Sequence, residues 1–191
     1  MLLRQNSAMA LAVALQEHRL TLGAAFTFMS GLYFRGKLAY AEAFDPGLTS
    51  TLVITPTRGL QSPRLVVNAE LLHEFAEVDI GVDEERYRAA LDLDAAELAA
   101  TLPADARVIL LGSVASGKYV DVLAPHLGNR LCYPPSFIGR GDMSRGGLLL
   151  RASRSGQELP YVRIGAGDRP RGRRPGRLGP ERLVRVRSVL S

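Results

Sequence analysis

Gly112-Ser-Val-Ala-Ser-Gly117-Lys118-Tyr119 holds the densest set of groups that could do chemistry. It approaches the phosphate-loop pattern G-x-x-x-x-G-K-[ST]. In that pattern backbone N–H groups cradle phosphate oxygens, and the hydroxyl after the lysine holds magnesium. Here Tyr119 stands in the hydroxyl's place, and a phenol cannot reach a metal with the same geometry. No later apolar strand ends in an aspartate that would complete such a metal site. That argues against an NTPase and leaves two readings. One is a loop that holds a phosphate, nucleotide or carboxylate without that machinery. The other is a plain strand–turn–helix. On the first, Gly112, Ser113, Ser116, Gly117, Lys118 and Tyr119 contact the ligand. Ser116 and Lys118 also qualify as catalytic candidates, since a lysine that sheds its proton can activate a nearby hydroxyl.

A second group lies in FIGRGDMSRGGLLLR, residues 137–151. Arg140, Asp142, Ser144 and Arg145 stand among four glycines, which reads as a polar loop held on a scaffold. Arg140 or Arg145 would add charge to an anion held at Lys118. Asp142 would accept a hydrogen bond from a sugar or base, or serve as general base. The alternative is an Arg–Asp tether internal to the loop. Arg58 is a third candidate, because it follows an apolar strand and its planar fork matches phosphate or carboxylate. A rim ion pair would explain it equally well.

These residues need elements to place them. The apolar run at 108–111 ends at Gly112 and predicts a buried strand over 107–112. Tyr119, Val122 and Leu123 predict a helix ending near His126 and Leu127, with Gly128 as its stop. Such a turn aims the positive end of a helix at one point, which suits an anion. A β-branched strand is expected over 51–55. If both strands share one sheet, a ligand would lie across their carboxyl ends.

Helices are expected over 5–20, 24–29, 32–44, 69–75 (capped by Asn68) and 84–102. A short strand is expected over 130–133, and a hairpin over 148–152 and 158–164. The fold expectation is therefore a single α/β domain over 1–164, a mostly parallel three-to-four-stranded sheet flanked by helices. A C-terminal hairpin and a tail follow. In the helix over 32–44, Gly36 invites close approach by a partner helix or ligand. The alternative is a solvated face of Arg35, Lys37 and Glu42, or a surface that joins a larger assembly.

Composition narrows the classes. The 47% apolar content is that of a globular protein, and no apolar run reaches the roughly 18 residues of a membrane helix. The N-terminal stretch reads as an amphipathic helix rather than a signal peptide. A cytoplasmic protein without a membrane partner is expected. One cysteine, Cys132, excludes an internal disulfide. The three histidines show no ligand spacing, so no metal is expected. No cofactor is specified by these residues.

The net charge of +5 is uneven. From Arg163 onward nine arginines face Asp168 and Glu181, a net +7, so the rest of the chain carries −2. Residues 165–191, rich in Arg, Gly and Pro, read as a disordered basic tail. Such a tail either binds nucleic acid through counterion release or keeps the chain soluble. Lys37 and Lys118 are the only lysines.

Four blocks, LYFRGKLAYAEAF, VITPTRGL, GSVASGKYVDVL and FIGRGDMSRGGLLLR, resemble those of a family of uncharacterised bacterial α/β proteins without an established activity. The likeness spans about residues 8–164. It implies that the four blocks belong to one site. The leading expectation is binding or enzymatic processing of a phosphorylated or nucleotide-like small molecule at 107–127. The alternatives are a nucleic-acid-binding or nucleic-acid-modifying protein that uses the tail, and a structural subunit.

Overall fold

The computed structural model describes residues 2–165 together with Pro170, Gly172 and Gly176, and for residues 2–8 the backbone alone. The expectation of a disordered tail otherwise falls outside the described residues. In chain order the elements are helices α1 (Leu2–Gln16) and α2 (Leu22–Phe44), strands β1 (Val53–Ile54) and β2 (Leu60–Gln61), helices α3 (Ala69–Ala76) and α4 (Glu85–Thr101), strand β3 (Val108–Ile109), helix α5 (Gly117–Leu127), strand β4 (Leu131–Tyr133), helix α6 (Asp142–Ser155) and strand β5 (Val162–Arg163). The described residues are 54% helical and 8% strand, so helices rather than a sheet do most of the positioning.

Local signals set several of these boundaries. Thr21 caps α2, its hydroxyl accepting from the Ala24 N–H. Asn68 caps α3, its Oδ1 accepting from the Leu71 N–H at 2.9 Å. Gly31, at φ 68° and ψ −147°, breaks α2 into two helical halves. The first half, with α1 and α3, encloses Leu20, Leu22, Phe26, Val67 and Phe75. A larger core joins α4 to α5 and β4 through Tyr87, Leu91, Val120, Leu123 and Leu131.

The strands form two sheets. β1 and β2 make an antiparallel ribbon, and the second sheet has the order β3–β4–β5. β3 and β4 are parallel, with Val108 opposite Leu131 and Ile109 opposite Cys132. β5 is antiparallel to β4. The expected single sheet holding both 51–55 and 107–112 is therefore not what forms. The reason is local. The Thr55 N–H bonds the Gly59 carbonyl at 2.8 Å, and the Arg58 N–H bonds the Thr55 hydroxyl at 3.1 Å. Gly59 takes φ 56°, and the chain doubles back. β1 thus pairs with its own return strand rather than with β3.

The expected glycine loop and hairpin strand at 137–152 also differ. Residues 142–155 are helical, and Gly156 at φ 64° ends the helix in the left-handed region. Arg145, Leu149 and Ala152 are buried, a spacing of four and then three that belongs to a helix. Gly146 is glycine because α2 crosses there. A Cβ on Gly146 would lie 2.8 Å from the Leu32 carbonyl oxygen, and one on Gly36 would lie 2.7 Å from the Gly146 oxygen. The α2–α6 contact is the most extensive between any two elements among the described residues. Tyr40, Phe137, Leu149 and Ala152 fill it. This face of residues 32–44 is thus covered by the chain's own α6. Of the expected hairpin only β5 remains, tied to α2 where the Tyr40 and Tyr161 hydroxyls meet at 2.6 Å.

Candidate functional site

The N-terminus of α5 is set by two contacts. The Tyr87 hydroxyl donates to the Lys118 carbonyl at 2.7 Å, and burial pushes this phenol's pKa up. Tyr119 lays its ring on Gly112, where a Cβ would stand 2.8 Å from the ring. That packing explains the departure from the phosphate-loop pattern: the position after the lysine fills space instead of presenting a hydroxyl to a metal. Ser116 is the N-cap residue, but its side chain makes no cap hydrogen bond. Among the described residues its Oγ is buried without a partner. The opening N–H groups of α5 and a buried hydroxyl therefore stand together at the positive end of the helix.

Two other helices converge on this end. From α2, the Tyr33 hydroxyl donates to the Leu111 carbonyl at 2.8 Å, which fastens the helix to the end of β3. Lys37, one turn further, holds its ammonium 4.3 Å from the Tyr33 ring centre. From α6 comes Arg145, only 7% exposed. Its Nε donates to the Phe137 carbonyl at 3.3 Å. Its guanidinium carbon lies 5.9 Å from the Tyr33 ring and 5.8 Å from the Phe137 ring. Lys118 places its ammonium 5.0 Å from the Tyr119 ring.

These groups share one electrostatic neighbourhood. Burial pushes the Lys37 ammonium down to about 8; Asp142 opposes that, while Lys118 and Arg145 add to it. Burial also pushes the Tyr33 phenol up, with Arg145 opposing. Among the described residues neither lysine has an ion-pair partner within 4.0 Å. The acid on this side, Asp142, is 71% exposed and stands 3.5 Å from Arg145. Three cations thus face one solvated carboxylate.

The expected site residues divide accordingly. Gly112, Ser113, Ser116, Gly117, Lys118 and Tyr119 form the turn into α5. Asp142 and Arg145 stand at the start of α6 rather than in a loop. Arg140 precedes them and pins the turn, its Nε to the Ser136 carbonyl at 2.9 Å and its Nη1 to the Ser144 hydroxyl at 3.0 Å. Three of the four blocks converge. The fourth, with Arg58, does not join them through any hydrogen bond, ion pair or ring contact among the described residues. Lys37 and Tyr33 are the members that motif reading passed over. Their signals were the scarcity of lysine and the glycine beside Lys37.

Arg58 already has a carboxylate. Its Nε and Nη2 reach the two oxygens of Glu74 at 2.8 and 2.6 Å, and Thr57 bonds the same carboxylate. A groove of about 620 Å³ beside the pair includes His18, Gln61 and Asn68, but its arginine is neutralised. The Arg58 hydrogen bonds, then Thr57, hold the Glu74 carboxyl down to about 2, from 4.5 when free. A carboxyl depressed on folding adds stability that is fully present above its unfolded pKa and lost as pH falls through the folded one. Glu74→Gln should therefore unfold at lower urea than wild type at pH 6, and the gap should close between pH 4.5 and about 2. A gap unchanged at pH 2 would reject the ion pair as its source.

Among the described residues no cluster of three or more His, Cys, Asp or Glu could hold a metal, and no helix is long and apolar enough to cross a membrane. No family model, curated protein or solved structure matches the chain.

Proposed function

We propose that the N-terminal end of α5, with Lys37 and Arg145 beside it, binds a small molecule through a phosphate or similar anion. One observation carries this reading. The chain's two lysines and the one buried charged residue among those described are gathered from three helices. Like charges held together and partly out of water disfavour the fold. A ligand that brings negative charge would offset that cost.

The roles follow from placement. The N–H groups of Gly117, Lys118 and Tyr119 take anion oxygens, with Ser113 and the Ser116 hydroxyl beside them. Lys118 and Arg145 supply charge. Asp142, solvated at the rim, accepts a hydrogen bond from the rest of the ligand, such as a sugar hydroxyl or a base N–H. Arg140 positions the turn.

Calorimetry with pyrophosphate and with nucleoside phosphates tests the reading. A charged hydrogen bond contributes about 1.5–3 kcal/mol, so Lys118→Ala should bind about 10- to 100-fold more weakly. Equal binding by wild type and Lys118→Ala would overturn the proposal, as would wild type that binds none of these anions.

A further inference from the structure

We infer that Lys37 is a reactive amine, and that the ligand of this site is an aldehyde or ketone carrying a phosphate or carboxylate, which Lys37 captures as an imine. This rests on the anion-binding reading above and adds a covalent step to it.

The placement of Lys37 carries the inference. Gly36 and Gly146 let α2 and α6 touch backbone to backbone, and the residue next to Gly36 is thereby carried to the start of α6. Lys37 meets a ring, not a carboxylate: its ammonium lies 4.3 Å from the Tyr33 ring centre. It has no hydrogen bond or ion pair among the described residues. The charged and titratable groups around it come from three directions. Tyr33 shares its helix and is committed to the Leu111 carbonyl. Lys118 faces it from α5. Arg145 and Asp142 face it from α6, and Asp142 is 71% exposed.

The face of the Tyr33 ring attracts the ammonium, but burial beside two other cations outweighs it, and the amine gives up its proton more readily than a solvated lysine. With its ammonium near pH 8, roughly a tenth of Lys37 is neutral at pH 7. Lys118 and Arg145 can then hold the anionic end of a ligand while Lys37 meets its carbonyl. At the same end of α5 the Ser116 Oγ is buried with no hydrogen-bond partner among the described residues.

The chemistry balances without a further reagent. The neutral amine's lone pair attacks the carbonyl carbon and forms a C–N bond. The carbonyl oxygen takes up a proton as the nitrogen gives one up, leaving a carbinolamine. That hydroxyl departs with the second nitrogen proton as one water, and a C=N bond remains. Nothing is oxidised or reduced.

Pyridoxal 5′-phosphate, an aldehyde that bears a phosphate, is the probe. The full chain is incubated with it and then with borohydride, whose hydride fixes any imine as a secondary amine. Peptide mass spectrometry locates the label, and calorimetry follows inorganic phosphate in parallel. The expected result is about one pyridoxyl group per chain, on Lys37, reduced at least tenfold by saturating phosphate. Phosphate binding with the label on Lys118, on the N-terminal amine or nowhere would overturn the role of Lys37 and leave the anion site standing. Absence of both phosphate binding and phosphate-protected labelling would overturn both.

Discussion

Gly146→Ala is expected to destabilise the protein by about 1–3 kcal/mol, the usual cost of overpacking, and to weaken anion binding with it. The added methyl would stand 2.8 Å from the Leu32 oxygen and 3.0 Å from both the Leu32 carbonyl carbon and the Tyr33 Cα. All three are backbone atoms, so no side-chain rotation relieves the clash. The helices themselves must separate. Separation moves Tyr33 and Lys37 on α2 away from Arg145 on α6, and the cation cluster spreads. Urea unfolding reads the first effect and calorimetry with pyrophosphate the second. Gly81→Ala is the control: the space around Gly81 is open, and such a change is neutral or stabilising by up to about 1 kcal/mol. An unchanged urea midpoint for Gly146→Ala would show that α2 and α6 do not cross at these glycines.

Phe137→Ala should cost about 3–5 kcal/mol, the range for emptying a buried aromatic position. Phe137 is fully buried. Its ring meets Tyr33 edge to face, at 6.3 Å between centroids and 71° between planes, and the Arg145 guanidinium lies beside it. Truncation therefore removes core volume and the apolar support of two site residues at once. Since whole domains are stable by only about 5–15 kcal/mol, the loss is a large share of the total. Phe137→Leu keeps most of the apolar volume and should lose markedly less. A Phe137→Ala chain with wild-type stability would show that this position is not core.

Features governed by neighbours in sequence were legible from the sequence. Asn68 announces α3, the apolar spacing from Tyr87 to Leu98 announces α4, Ser30 and Gly31 mark the break in α2, and the apolar run into Gly112 marks the entry to α5. Features that depend on a distant partner were not. Gly146 looks like a loop residue until α2 is laid across it, because a glycine at a helix crossing and a glycine in a turn are the same letter. The β1 run looks like a central strand until Gly59 sends the chain back on itself. Arg58 looks free until Glu74, sixteen residues on, meets it. The candidate site was half legible for the same reason. The α5 turn is one contiguous motif, whereas Lys37 joins it only through packing.

Cys132, the chain's only cysteine, is 2% exposed in the central strand β4, between Ile109 on one side and Arg163 on the other. A thiol reagent reaches that sulfur only when the packing around β4 opens. Alkylation of the native protein thus runs as a clock for local opening around β4. Because β3, paired with β4, leads directly into the turn at Gly112, the clock keeps time for the floor of the proposed anion site, and no second thiol elsewhere in the chain blurs its reading.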